Sequence, residues 1–393
     1  AISESQERMA CVLDPKDLEE FLALCHEENI EGTVVAYVTD ENRLVMKHKD
    51  SVIVDISREF LDSSGVTSYQ DIEIDIPTAV NFIEGTDISN IKFALLDRMQ
   101  DLNTCSKKGL IERFDSSIGA GSLFIPLGGK DQLTPSQGMV SLVPSLKGDT
   151  TTASIMTYGY NPYLSEESPF HGAYYAVIDS VSKIAAIGGD VSKVRLSFQE
   201  YFEKLGEDSL KWGKPFAALL GSLRAQMDLN IPAIGGKDSM SGTYKDLNVP
   251  PTLISFAVTT ADMEEITSGE LKKSGSYIGV ISTPVDKDGL LDMDIFKENL
   301  KLLKGLKESG KLLSAYAGGH DGLLGGLSKM AIGNSIGLDL KDLDYKEALK
   351  PIYGSFIVEL SEEDDNVTEL GVTIDEKIIK IGHVVEIPLE DIR

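Results

Sequence analysis

The segment Gly235-Gly236-Lys237-Asp238-Ser239-Met240-Ser241-Gly242 constrains the fold most. Its adjacent glycines carry no Cβ, so backbone N–H groups lie open to an anion, and Lys-Asp-Ser adds charge and a hydroxyl beside them. No GxxxxGK[ST] loop and no GxGxxG after a strand accompanies it, so a nucleotide fold here is neither of the P-loop nor of the Rossmann kind. A glycine turn with a salt-bridged Lys-Asp is also an ordinary surface feature. Taken alone, the segment leaves both readings open.

A chain of 393 residues, 42% of them hydrophobic, exceeds one ordinary core and predicts two or three packed domains. Acidic residues outnumber basic ones by 63 to 37, giving a net charge of −26. That field repels nucleic-acid phosphates and anionic membranes, so neither is an expected partner. A small phosphorylated ligand stays admissible, because glycine loops, nearby lysines and Mg²⁺ supply positive potential locally. Cys11, Cys25 and Cys105 are odd in number and form no Cys-x-x-Cys pair, so neither a disulfide framework nor a zinc site is indicated, and a cytoplasmic location fits. No charged-then-apolar leader and no apolar run near the roughly 18 residues of a membrane span occurs. The start at Ala1 reads as a piece of a longer polypeptide, with an engineered or processed start as the alternative.

Periodicity predicts strands over 9–14 and 32–39, a helix over 15–28 with Leu18, Phe21, Leu22 and Leu24 on one face, and short strands near 43–47 and 51–55. Near the other end, 354–360 reads as a strand, 361–365 as a cap and acidic first helical turn, and 378–385 as strands. The two stretches echo each other and suggest an internal duplication. Between them lie a helix around 88–102, strand-like runs at 122–127, 139–143, 153–158, 193–198 and 252–258, and helices near 171–187 and 214–228. A further strand at 277–282 and a helix over 293–309 follow.

Four more segments bear on function: Ser3-Glu4-Ser5-Gln6-Glu7-Arg8-Met9, Gly128-Gly129-Lys130-Asp131-Gln132, the run His171–Asp179 with its helix ending in Gly188-Gly189-Asp190, and Ser197–Phe202. With the glycine-rich segment, they make the whole chain resemble the large phosphoribosylformylglycinamidine synthase of purine biosynthesis, in the later part of its synthase module. The resemblance implies an α+β chain of the aminoimidazole-ribonucleotide-synthetase type. It would carry a partial C-type domain over 1–87, a linker helix over 88–112, a mostly β N-type nucleotide-binding domain with flanking helices over 113–266, and a C-type α/β sandwich domain over 267–393. It also implies an ATP-dependent amidoligase that turns formylglycinamide ribonucleotide, glutamine-derived ammonia and ATP into the amidine, ADP and phosphate. The family's catalytic His and its glutaminase residues fall outside this chain. The implied partners are therefore the upstream synthase half and the glutaminase domain, besides ATP and the phosphorylated substrate. The alternatives are a non-catalytic nucleotide-binding scaffold and a related small-molecule kinase.

Gln6, Glu7 and Arg8 are candidates for substrate binding, against a plain solvated terminus. Lys130, Lys237, Asp238 and Ser239 are candidates for nucleotide phosphates. Asp179 and Lys183 stand four apart on one helix, where the simple reading is an ion pair worth tenths of a kcal/mol. The family carries Mg²⁺ ligands at these two positions, and the resemblance makes Asp179 a metal candidate. A protonated Lys183 cannot ligate a metal, so ATP or ADP would bind there with Mg²⁺ altered or lost. Ser168 is a second departure, replacing an expected metal-binding Asp. His320 and Asp321, in Gly318-Gly319-His320-Asp321-Gly322, match a family motif with one residue missing, and a polar turn explains them equally well.

Overall fold

The computed structural model describes residues 8–63, 69–75, 88–114, 121–146, 148–382 and 384–393. The chain divides into two compact units, Ala1–Tyr69 and Gln70–Arg393. In the first, Asp14 caps the turn Pro15–Asp17 by accepting from the Lys16 amide, and the helix Leu18–Glu27 follows directly. Pro15 stands at the first position of that turn, where a missing N–H leaves no bond unmade. A hairpin of Arg43–His48 and Ser51–Ser57 comes next, then the short helix Arg58–Asp62. Leu18, Phe21, Leu22 and Cys25 are the part-covered residues of the first helix, whereas Leu24 is 54% exposed.

The strands expected over 9–14 and 32–39 are not formed. Met9, Val12, Val35, Tyr37 and Val38 are exposed, and no described residue forms a ladder with either segment. Apolar content without a hydrogen-bonded neighbour does not make a strand.

The second unit is built on two sheets. The first has five strands in the order Gly138–Leu142, Thr152–Gly159, Thr252–Asp262, Arg195–Tyr201, Ala233–Lys237. All pair antiparallel except the last two, which run parallel and are joined through the helix Ser209–Leu229, the crossover a parallel pair requires. The strand Thr152–Gly159 alternates between covered and exposed residues, the signature of a sheet with one face on the core. The second sheet has seven strands in the order Leu312–Ala317, Phe356–Leu360, Tyr277–Ile281, Thr368–Ile374, Gly337–Leu340, Ile378–Ile381, Val385–Pro388.

The helix Pro169–Ile187 lies at the centre of this unit. Ser168 caps it through the His171 amide, Pro169 opens it, and Gly188 ends it at φ 101°, in the left-handed region that glycine adopts without penalty. Its Tyr175 and Ile178 share one apolar cluster with Ile155 of the first sheet and with Phe356 and Leu291 of the second region. Gly159 lets the strand come close to this helix: a Cβ there would stand 2.1 Å from the Ala176 carbonyl oxygen.

Other expectations shift by a few residues or fail. Residues 122–127 make only a bridge from Ser122 to Ser141 and the start of the two-residue pairing Leu127–Gly128 with Thr134–Pro135. The acidic stretch 361–365 is not helical. Asp364 instead accepts from the Asn366 amide in a tight turn, and Glu362 and Asp364 both answer Lys311, at 3.1 and 3.3 Å. The chain must re-enter the sheet at Thr368, too soon for a helix, so the strand-then-acidic-helix pattern is not repeated at this end. Among the described residues no helix is long and apolar enough to cross a membrane.

Candidate nucleotide site

Asp179 and Lys183 face one way on the central helix, and Lys183 Nζ lies 2.7 Å from Asp179 Oδ2. The pair is largely covered, not exposed: Lys183 keeps 17% of its side-chain surface and Asp179 8%. Lys183 also donates to the Tyr158 carbonyl at 2.9 Å and lies over the Tyr158 ring, 4.9 Å from its centre. Asp179 Oδ1 is buried without a hydrogen-bond partner, and burial raises the Asp179 pKa against the pull of Lys183. A buried carboxylate with one oxygen unanswered marks a place where something polar belongs.

A second pair stands nearby. Lys329 Nζ lies 2.8 Å from Asp321 Oδ2, a contact of charges outside hydrogen-bond geometry, with both side chains nearly covered. Lys329 belongs to the helix Gly322–Ile332 and Asp321 precedes it. Gly325, between them, has no Cβ to crowd Asp321, which a Cβ would meet at 2.7 Å, and a helical side chain points back toward the N-terminus. The sequence reading missed Lys329, whose only signal was a single charge inside the apolar run Leu323–Ile332.

These residues line a cavity of about 740 Å³. Asp179, Lys183, Asp321 and Lys329, together with Lys107, supply its charge, and Met139, Met156, Tyr158 and Phe256 contribute to its apolar wall. His320 lines it too. Arg98 Nη1 stands 3.1 Å from His320 Nε2 and donates to the His320 carbonyl at 3.0 Å, and the Asn161 amide nitrogen lies 3.2 Å from Nδ1. A guanidinium has no lone pair to offer, so Nε2 accepts and the ring is not protonated there. Burial first, then Arg98, hold the His320 pKa below its ordinary value.

The other candidates lie elsewhere. Lys237 ends an exposed strand and donates to the Asp238 carbonyl and to Ser239 Oγ, both at 3.1 Å, and none of these three lines the cavity. Lys130 is exposed in a turn whose amide donates to Asn334 Oδ1, and it too is outside the cavity lining. Arg8 is exposed in the first unit, and Gln6 and Glu7 lie outside the described residues. Ser168 acts as a helix cap whose Oγ lies 2.8 Å from His171 Nδ1. Cys11 is exposed and not in a strand.

The donor set does not fit Mg²⁺. Each cavity carboxylate already faces an ammonium, and among the described residues no group of three or more His, Cys, Asp or Glu side chains could hold a metal ion. A hard cation asks for several oxygen ligands at once.

Beside the glycine-rich segment, buried Glu200 has its pKa pushed up to about 7 by burial and by Asp238. The folded state holds this proton more tightly than the unfolded chain, so stability is full below about pH 4.5 and falls as pH rises toward 7. At 1.36 kcal/mol per unit, a rise from 4.5 to about 7 corresponds to about 3 kcal/mol. Glu200→Gln should flatten that part of a urea-unfolding pH series; an unchanged slope would remove Glu200 as its source.

The family model for the AIR synthase related protein, C-terminal domain, matches residues 1–49. The phosphoribosylformylglycinamidine synthase subunit PurL of Thermoplasma volcanium is 23% identical over 443 aligned positions, covering 100% of this chain and 55% of its own length. The chain is similar to PurL along its whole length. It spans about half the length of the curated relatives it matches. Among solved structures, T. maritima PurL complexed with ATP superposes with a TM-score of 0.65 at 17% identity, covering 95% of this chain and 55% of that one. The same PurL complexed with FGAR gives the same TM-score and identity, covering 95% of this chain and 54% of that one. The fold is thus that of PurL.

Proposed function

We propose that this chain is part of an ATP-dependent phosphoribosylformylglycinamidine synthase. The observation that carries the reading is the match of the full chain to about half of PurL, a protein solved with both ATP and FGAR. In the proposed reaction ATP phosphorylates the glycinamide carbonyl oxygen of formylglycinamide ribonucleotide. Glutamine-derived ammonia then attacks that carbon; a C–N bond forms, the C–O bond to phosphate breaks, and the amidine, ADP and phosphate leave. Positioning and charge neutralisation dominate such phosphoryl transfer.

In this assignment Gln6, Glu7 and Arg8 meet the phosphorylated substrate, and Lys130, Lys237, Asp238 and Ser239 serve nucleotide phosphates from a site apart from the cavity. Asp179, Lys183, His320 and Asp321 belong to a second nucleotide site. The domains run 1–87, 88–112, 113–266 and 267–393, the protein works in the cytoplasm, and its partners are an upstream synthase half and a glutaminase domain. A second reading, a non-catalytic nucleotide-binding scaffold half, is favoured by the internal pairing of both cavity carboxylates.

The isolated chain should form no amidine from ammonia, ATP, Mg²⁺ and substrate, and adding the upstream half of a PurL in trans should produce it. Product from the chain alone would refute the division of labour. A properly assembled pair with no turnover would favour the scaffold reading.

A further inference from the structure

The cavity floor carries two carboxylates and two ammonium groups, and the paired charges cancel. A divalent cation entering there would have to displace Lys183 from Asp179 or Lys329 from Asp321. Yet the floor is not saturated. Asp321 is the only carboxylate within ion-pair distance of Lys329 among the described residues, which leaves ammonium N–H donors to face the cavity. A group entering there must therefore accept from lysine. A phosphate does so with its oxygens. The thioether and aromatic wall of Met139, Met156 and Tyr158 then suits a flat ring attached to it.

We propose that this cavity binds a phosphate-bearing ligand, a nucleotide in preference to free phosphate, without a divalent cation, and that Lys329 together with Lys183 supplies the ammonium N–H donors that hold it in place of a metal. The proposal rests on the nucleotide-site reading of the cavity and not on the synthase reaction. Lys329 thereby becomes a ligand-binding residue.

Calorimetric titration of the whole chain with ADP, AMP, adenosine and inorganic phosphate, each in EDTA and in excess Mg²⁺, tests it. ADP or AMP should bind equally, within about twofold, in both buffers, and at least tenfold more tightly than phosphate or adenosine. Because Lys329→Met leaves Asp321 alone, the double variant Lys329→Met/Asp321→Asn is measured beside it, with circular dichroism to check folding. The folded double variant should lose at least tenfold in affinity in both buffers. Binding that requires Mg²⁺, equal affinity in the double variant, or no binding by any of the four compounds would each overturn the proposal. None of these results touches the amidine assay with the upstream half, so the two readings fail separately.

Discussion

Lys329→Met is expected to lower the unfolding free energy by about 3–5 kcal/mol, because it strands the nearly covered Asp321 carboxylate with no cation beside it. Burial alone would lower the Lys329 pKa, but Asp321, its largest opposing influence, holds it above the ordinary lysine value, so the ammonium stays charged across the physiological range. Removing both charges in Lys329→Met/Asp321→Leu should recover most of the loss, since a well-packed apolar pair often replaces a buried ion pair without cost. Urea unfolding of the three proteins decides it. A single variant within about 1 kcal/mol of the parent would mean that water reaches Asp321 freely.

Phe296→Ala should cost a comparable amount, about 3–5 kcal/mol, by opening a cavity where the helix Met293–Glu308 meets the second sheet. Phe296 is fully covered and stacks parallel to Phe356, with ring centres 6.4 Å apart. Both rings share a cluster with Ile178 of the central helix and Ile155 of the first sheet, so the loss should appear in one cooperative transition of the second unit. Two separated transitions by circular dichroism would show that the sheets do not share a core.

Much of the second unit was legible because its elements carry strong local signals. Thr152–Gly159 alternates with period two, and Pro169–Ile187 begins with Ser-Pro and ends on Gly188, so both stood out close to their observed bounds. The failures have physical causes. Residues 9–14 and 32–39 are apolar enough for strands, but pairing is a property of two segments, and no described residue pairs with either of them. Ser361-Glu362-Glu363-Asp364-Asp365 has the composition of a helix start, but Lys311 and the tight turn at Asn366 claim its acids.

The site was only half legible for a similar reason. Asp179 and Lys183 sit at a helical spacing that announces a pair, although spacing says nothing of burial, and burial is what makes this pair consequential. Asp321 and Lys329 are eight apart, a separation that announces no ion pair in sequence, and the Cβ that Gly325 lacks would stand 2.7 Å from Asp321. Arg98, Asn161 and Tyr353 converge on this region from distant segments: Asn161 donates to Tyr353 Oη at 2.9 Å and faces His320, which Arg98 holds from the other side. Glycine-rich segment 235–242, the clearest motif in the chain, contributes no residue to the cavity lining.

Lysine–carboxylate pairs that are largely covered neutralise the cavity floor from within. A double-mutant cycle on Asp179→Asn and Lys183→Met, read by urea unfolding at neutral pH, tests it most directly. A coupling energy of at least about 1.5 kcal/mol is predicted, well above the tenths of a kcal/mol of an exposed helical pair. Losses that add to within about 0.5 kcal/mol would contradict the claim.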